Sequence, residues 1–149
     1  MMPSRGRAVP KRSIQIVLDT NIMVSALLFG GNTSSLVEQW QRGRLSLLFS
    51  RDTLSELVRV LNYPKFKLTE RECKSILHRE VLPFIISVVP RSVPKVIKDD
   101  PDDDIFIACA LAGKANYLVS GDKHLLEQKK FRSIPIISLG VFMKHLADQ

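Results

Sequence analysis

Five short apolar runs recur along the chain, and segments of helical length separate them. The runs are 13–18 (SIQIVL), 45–49 (LSLLF), 85–89 (IISVV), 117–120 (YLVS) and 135–138 (PIIS). They are too short for most helices and rich in β-branched residues, so we predict that they are buried strands. Strands that alternate with helices imply parallel pairing through crossovers. The pattern therefore predicts an α/β fold, a three-layer α/β/α sandwich with a central parallel sheet of about five strands.

The predicted helices fill the intervals between these runs. They span residues 33–42, 51–61, 69–81, 104–113, 122–128 and 139–147. Helix 51–61 has the clearest pattern, because Leu54, Leu57, Val58 and Leu61 follow the i, i+3, i+4, i+7 spacing of one buried face. Residues 90–101 (PRSVPKVIKDDP) read as a charged, proline-containing connector.

Positive charge is concentrated at the start of the chain. The net charge is +7, and residues 1–13 contribute four cations and no acid. We predict that residues 1–12 form a basic, disordered tail and that 13–149 form one domain. An RNA-contacting arm and a wrongly assigned start codon both remain open for the tail. A basic protein favours polyanionic partners, because its cations release counterions from phosphates.

Cysteine usage and hydropathy bear on the compartment. The two cysteines do not form a disulfide framework or a metal motif, which suits a reducing cytoplasm. No run approaches the roughly 18 apolar residues that a membrane helix needs. We therefore expect a cytoplasmic protein without a membrane partner.

Polar side chains follow two of the predicted strands directly. Asp19 and Asn21 come after the first strand, and Asp122 comes after the fourth, behind a tight turn of Ser120 and Gly121. Functional groups of parallel sheets gather beyond the carboxyl ends of the strands. Helix N-capping explains the same residue types equally well at these positions.

An acidic cluster precedes the apolar helix 104–113. Five aspartates lie within six positions, at Asp99, Asp100, Asp102, Asp103 and Asp104. A cation would relieve their mutual repulsion, whereas the helix dipole alone explains one or two acids at a helix start. Asp104 is the preferred ligand, because it lies one turn before Ala108 on the side expected to face the sheet. Glu56 falls far from the apolar stripe of its helix, so periodicity alone predicts a solvated side chain.

Four segments together resemble a known family. They are IVLDTNIMVSALL, SRDTLSELVRVL, DPDDDIFIACALAG and YLVSGDKHLL, in this order. The sequence from about Ser13 to Leu146 resembles the PIN domain, and more narrowly the small prokaryotic PIN proteins that are toxin components of toxin–antitoxin modules, the VapC-like ribonucleases.

The resemblance implies four site acids. Asp19 matches the first, with Asn21 in support, and Glu56 matches the second. Asp104 matches the third by its spacing to the helix, but many relatives carry Asn there after paired aspartates, so Asp103 and, less favourably, Asp102 are alternatives. Asp122 matches the fourth, with Ser120 in support.

The implied activity is metal-dependent hydrolysis of RNA phosphodiester bonds. Clustered carboxylates need a cation, and hard oxygen ligands favour Mg²⁺ or Mn²⁺ over zinc. In this reading Asp19, Asp104 and Asp122 hold the metal, and Glu56 orients a water molecule or acts as a base. The family also implies an RNA substrate, a cognate antitoxin and a homodimer. Aromatic residues are sparse, so the sequence shows no base-stacking platform.

Two alternative functions remain at this point. A phosphatase of the haloacid-dehalogenase type also begins with Asp after its first strand, but it requires D-x-D, and Asn21 occupies the third position. A catalytically silent PIN-like module that binds RNA or regulates is the other alternative, and four retained acids argue against it.

Overall fold

The strands and helices are taken from a computed structural model, which describes residues 13–30, 34–91 and 104–148. The predicted tail 1–12, most of the connector 90–101, and Asp102 and Asp103 lie outside the described residues. The strands are β1 (Ile14–Leu18), β2 (Leu45–Phe49), β3 (Ile85–Ser87), β4 (Tyr117–Val119), β5 (Lys130–Phe131) and β6 (Ile134–Ile137). The α-helices are α1 (Thr20–Leu28), α2 (Ser34–Gln41), α3 (Arg51–Leu61), α4 (Glu70–Ile76), α5 (Asp104–Ala112), α6 (Lys123–Glu127) and α7 (Leu139–Ala147).

The strands form a single sheet in the order β3-β2-β1-β4-β6-β5. All neighbouring pairs are parallel except β5 with β6. The predicted α/β fold with a parallel sheet is confirmed, and β5 is an addition that the sequence pattern did not indicate. It runs antiparallel because only two residues connect it to β6, and Arg132 in this turn has a φ of 53°.

Side chains on the two faces of the sheet enter two separate hydrophobic cores. On the central strand β1, Ile16 and Leu18 join the core with α1, α2, α3 and α7, whereas Val17 joins the core with α5 and α6. This alternation is the period of two expected for a strand that is covered on both faces. The three predicted layers are therefore present.

The close approach of α5 to the sheet depends on a glycine. The amide of Gly113 donates to the carbonyl of Cys109, so Gly113 follows the last turn of the helix as predicted. A Cβ atom at Gly113 would lie 2.6 Å from Leu48 Cδ1 and 3.1 Å from Val88 Cγ1. The Leu48 and Val88 side chains would have to shift to admit a larger residue at position 113, so glycine favours the close approach of α5 to β2.

Two helices differ from the sequence prediction. Helix α1 was not predicted, because Ile22, Met23, Val24 and Ala26 are all buried and leave no periodic polar face. Helix 69–81 ends its α-helical part at Ile76 and continues with wider π turns over Leu77–Val81. None of the helices in the described segments is long and apolar enough to span a membrane.

Candidate active site at the carboxyl edge of the sheet

The pairing of β1 with β4 brings Asp19 and Ser120 together. Leu18 pairs with Val119, and the amide of Asp19 donates to the carbonyl of Val119 at 3.1 Å. Each strand ends at this pair, so the next residue of each chain segment emerges at the same edge of the sheet. Two residues far apart in sequence are therefore neighbours, as the strand-end argument predicted.

The carboxylate of Asp19 is held by hydrogen bonds from two directions. Its Oδ1 accepts from the amide of Ile22 at 2.9 Å, which caps α1. Its Oδ2 accepts from Ser120 Oγ at 2.6 Å and from the amide of Gly121 at 3.0 Å. The side chain is buried, with 6% of the residue exposed. Capping explains only the first contact, so Asp19 also ties β1 to the turn after β4.

Ser120 connects Asp19 to Asp122. Its hydroxyl has one proton, which it donates to Asp19, so it accepts from the amide of Asp122 at 2.9 Å. Asp122 caps α6, because its Oδ1 accepts from the amides of His124 and Leu125 at 2.8 and 3.3 Å. Among the described residues, Asp122 Oδ2 accepts no hydrogen bond. One carboxylate oxygen at this edge is therefore available to a ligand.

Asp19 and Asp122 line one open hollow, which we call the Asp19 hollow. Its volume is about 480 Å³. The remaining lining residues are Asn21, Ile22, Ser25, Gly121, Lys123 and Leu139. Asn21 lines the hollow, whereas Ser120 contacts Asp19 and Asp122 without being a lining residue. Ser25 and Leu139 were not predicted, because nothing in their local sequence marks them as site residues.

Asp104 occupies a different position from these two acids. It is the first residue of α5, and only 3% of it is exposed. Burial does not single out the predicted sheet-facing side, because Phe106, Ile107, Ala108, Cys109 and Ala110 are all buried. Ile107 joins the core beneath α5, whereas Ala108 belongs to neither core. Helix α5 packs against β1, the strand that carries Asp19 at its end. Asp104 is not part of the lining of the Asp19 hollow, and its alternative, Asp103, lies outside the described residues.

Glu56 lies on α3 and is paired with Arg59. The guanidinium donates to Glu56 through Nη2 at 2.7 and 2.9 Å and through Nε at 3.2 Å. The carboxylate raises the pKa of Arg59 through these hydrogen bonds and its charge. The Glu56 side chain is 20% exposed, and it does not line the hollow. It is partly buried and ion-paired, unlike the freely solvated group that periodicity suggested.

The buried face of α3 differs from the predicted stripe. Val58 is 37% exposed, whereas Thr53, Leu57, Val60 and Leu61 are buried. Thr53 is drawn inward because it forms a capping box with Ser50 and contacts the thiol of Cys109 on α5. Glu56 lies three residues after Thr53 and four before Val60, so it flanks this face. In the sequence, an inward-facing Thr53 would have indicated that Glu56 lies beside the buried face of α3.

A metal ion fits the donor atoms of the hollow. The donors are hard carboxylate and amide oxygens, which suit Mg²⁺ or Mn²⁺, and Mg²⁺ is typically held by one or two carboxylates plus water. Within the described segments, no three His, Cys, Asp or Glu side chains form a cluster that could hold a metal. Asp19, Asp104 and Asp122 therefore do not form such a cluster, and the hollow itself offers two carboxylates.

Comparison with known proteins identifies the family of the chain. The family model described as PIN domain matches residues 15–124, well over half of the chain. No curated protein sequence matches the chain.

Three of the solved structures with a similar fold are from different organisms. VapBC2 from Rickettsia felis, bound to a DNA fragment from its promoter, has a TM-score of 0.58 at 16% identity, over 84% of this chain and 98% of that one. FitAcB from Neisseria gonorrhoeae has a TM-score of 0.51 at 14% identity, and the match covers 82% of this chain and 96% of that one. PAE2754 from Pyrobaculum aerophilum has a TM-score of 0.50 at 15% identity, and the match covers 93% of this chain and 94% of that one. At these identities the likeness concerns the fold.

Proposed function

The chain belongs to the PIN domain family, a family of nucleases, and from that premise we propose that it is a metal-dependent ribonuclease acting at the Asp19 hollow. The observation that carries the proposal is the bridge from the Asp19 carboxylate through the Ser120 hydroxyl to the backbone amide of Asp122. It brings the two aspartates to one hollow, beside Asn21 and Lys123. Capping alone would not require Asp19 to accept hydrogen bonds from Ser120 and Gly121 in the turn after β4.

The proposed metal is Mg²⁺ or Mn²⁺. Asp19 and Asp122 would hold it, with water filling the other positions, and Asp104 is the proposed third acid of the set. When bound, such an ion lowers the pKa of a water molecule and stabilises charge on phosphate oxygens. Asp103 stays an alternative to Asp104.

The protein groups around the hollow have separate proposed roles. Ser120 holds the orientation of Asp19 through its hydroxyl proton. Asn21 and Lys123 line the hollow, and their amide and ammonium groups would contact phosphate oxygens of the RNA. Glu56 is proposed to orient the attacking water or accept its proton, which requires its carboxylate to leave Arg59.

The partners are proposed from the family and from the similar structures. VapBC2 and FitAcB share the fold of this chain, which supports a toxin component with a cognate antitoxin. A homodimer and a cytoplasmic location belong to the same proposal. The two free, buried cysteines suit a reducing compartment.

Cleavage of a mixed-sequence RNA with Mg²⁺ or Mn²⁺ tests the activity. We expect Asp19→Asn to lower kcat/KM about a thousandfold, corresponding to roughly 4 kcal/mol of transition-state stabilisation. Asp52→Asn is the matched control, because Asp52 is an exposed aspartate outside the hollow. Absence of cleavage by the wild-type protein would favour the silent RNA-binding alternative, and equal cleavage by Asp19→Asn would exclude this site.

Thermal unfolding tests the metal without reference to activity. Ligands that bind only the folded state raise its stability, by about 2.7 kcal/mol at a hundred times the Kd. We expect Mn²⁺ to raise the Tm of the wild-type protein and of Asp52→Asn, but not of Asp122→Asn. An unchanged wild-type Tm at millimolar Mn²⁺ would contradict metal binding.

A further inference from the structure

One exposed aromatic ring stands out at the far end of α1. Phe29 follows the last residue of the helix and is 67% exposed, and it alone among the aromatic residues that the structure describes is in the exposed class. Its ring packs against Phe66 with the centroids 5.9 Å apart and the planes at 50°. Phe66 is itself half-buried against the core, so it supports one side of Phe29. With 67% of the residue exposed, much of the Phe29 side chain is accessible to solvent.

Cations are interleaved with the aromatic rings at this end of the molecule. Lys65 Nζ lies 5.2 Å from the centroid of the Phe66 ring, and Arg59 Cζ lies 5.4 Å from that of Tyr63. Residues 57–69 contain Arg59, Lys65 and Lys67 and no acid. We call Phe29, Tyr63, Lys65, Phe66 and Lys67 the aromatic–basic surface.

This surface is connected to a residue of the proposed active site. Arg59 donates to Glu56 at one end and to the hydroxyl of Tyr63 at the other. Tyr63 and Phe66 are joined by a backbone hydrogen bond of 3.1 Å, and Phe66 contacts Phe29. A continuous series of contacts therefore leads from Glu56 to the exposed ring of Phe29.

We propose that the aromatic–basic surface binds single-stranded RNA, with a base stacked on Phe29 and phosphates near Lys65 and Lys67. This inference rests on the proposed function for the class of its ligand. Bases stack on aromatic side chains without regard to sequence, and cations beside the rings follow the phosphate backbone. An apolar protein partner would cover Phe29 but would leave these cations without counter-charges. A duplex keeps its bases stacked on one another, so a single strand is the form that offers a free base face.

The distance between the surface and the hollow sets the length of RNA. Ten residues separate Asp19 from Phe29 along α1, which corresponds to about 15 Å at a rise of 1.5 Å per residue. A stacked strand advances about 3.4 Å per nucleotide, so about five nucleotides span that distance. An RNA of two or three nucleotides bound at the hollow does not reach Phe29, whereas a dodecamer does.

Fluorescence anisotropy with a labelled single-stranded RNA dodecamer in EDTA tests binding without cleavage. We expect Phe29→Ala and Phe29→Leu to weaken binding about tenfold, the loss of one stacked base, and Phe29→Trp to retain it. Leucine keeps the apolar volume and removes the ring, so wild-type affinity in Phe29→Leu, or in Phe29→Ala, would overturn the proposal. Because Phe29 is exposed, the Tm of all three variants should equal that of the wild type within a few degrees.

The salt dependence of the same binding reaction tests the cations. Lys65→Gln and Lys67→Asn should each lower the slope of log K against log salt by about 0.7, the value for one phosphate contact on a single strand. Asparagine is used at position 67 because Lys67 has a φ of 54°. Unchanged slopes in both variants would overturn the phosphate contacts.

The outcomes separate this inference from the proposed function. Suppose that cleavage of a trinucleotide depends on Asp19 but that the affinity for the dodecamer is the same with and without Phe29. This result would overturn the inference and leave the proposed nuclease intact. Binding that depends on Phe29 in a protein that never cleaves RNA would overturn the nuclease alone. If Phe29→Ala leaves RNA affinity unchanged but dissociates a dimer in analytical ultracentrifugation, the surface is an interface between copies of the chain, and the inference is wrong.

Discussion

Asp19 and Glu56 are acids of one proposed site, but the protein holds them in opposite ways. Asp19 is buried and accepts hydrogen bonds from its own helix, from Ser120 and from Gly121. Glu56 has Arg59 as its partner, three residues along the same helix, and the Arg59 side chain is 54% exposed. The position of Asp19 is therefore determined by the pairing of two strands, whereas that of Glu56 depends on one local ion pair.

The difference separates two kinds of site residue. The Asp19 carboxylate is held by donors in α1 and in the turn after β4, so it cannot shift without breaking hydrogen bonds to both segments. A carboxylate in an exposed ion pair can exchange its partner at little cost, because such pairs contribute roughly 0–1 kcal/mol. We therefore expect the Asp19 side of the site to be rigid and the Glu56 side to rearrange when RNA binds.

The largest effect is expected at Asp19. Asp19→Ala removes an N-cap, worth about 1 kcal/mol, and leaves the Ser120 and Gly121 donors without their acceptor. The free energy of unfolding in urea should fall by about 3 kcal/mol. Glu56→Ala is the matched control and should lower it by less than about 0.5 kcal/mol. Equal losses in the free energy of unfolding of Asp19→Ala and Glu56→Ala would contradict the difference between a rigid Asp19 and a mobile Glu56.

Ser120 should show the next largest effect. Ser120→Ala deletes the 2.6 Å hydrogen bond to Asp19 and the acceptor for the Asp122 amide in a fully buried position. We expect a loss of about 2 kcal/mol in the free energy of unfolding. Ser25→Ala removes another hydroxyl from the wall of the hollow and serves as control. If it destabilises the protein as much as Ser120→Ala, the bridge has no special role.

The ionisation of the Cys109 thiol on α5 reports how tightly α5 packs against the start of α3. Burial raises the pKa of its thiol from the ordinary 9.0 to about 11. The unfolded thiol therefore ionises first as the pH rises, and its contribution to stability is present below pH 9 and lost between pH 9 and 11. At pH 10 we expect the loss to be about 1.4 kcal/mol.

Comparison with a Cys109→Ala variant isolates this contribution. Urea unfolding of both proteins at pH 8 and pH 10 should show a fall in stability that is about 1.4 kcal/mol smaller in Cys109→Ala. Identical pH dependence in the two proteins would mean that solvent reaches the thiol and that the packing beneath Thr53 is loose.

The smallest effect is expected for the ion pair itself. A double-mutant cycle of Glu56→Gln and Arg59→Gln should give a coupling energy below about 0.5 kcal/mol, because the pair is partly exposed and screened by salt. Glu56→Gln should nevertheless lower kcat about a hundredfold if the carboxylate is the base. A coupling energy above 1 kcal/mol would place Glu56 in the rigid class with Asp19.

Strand-end reasoning predicted the rigid part of the site from the sequence. Asp19 and Asp122 follow apolar runs whose carboxyl ends a parallel sheet places at one edge, and Ser120 lies in the turn before Asp122. The adjacency of β1 and β4, which makes Asp19 and Ser120 neighbours, was not predicted. The fold class was predictable for the same reason, since each run is bounded by polar or turn residues. These residues are located by the backbone, so local patterns are enough.

The remaining features depend on packing that no local pattern reports. Helix α1 lacks a polar stripe because several of its faces are buried. Periodicity predicted a solvated Glu56 because it took Val58, and not Thr53, as a residue of the buried face of α3. Phe29 and Phe66 are distant in sequence and meet because α1 and α3, the helices that precede them, pack together.

The bridge between Asp19 and Ser120 joins residues that are 101 positions apart. During synthesis, at about 5–20 residues per second, Asp19 leaves the ribosome about 5–20 seconds before its partner. Pairing of β1 with β2 closes a much shorter loop and is available earlier, but it does not supply Ser120 or Asp122. The proposed nuclease therefore cannot assemble its site on a partial chain, and its activity begins only after nearly all of the domain has been translated.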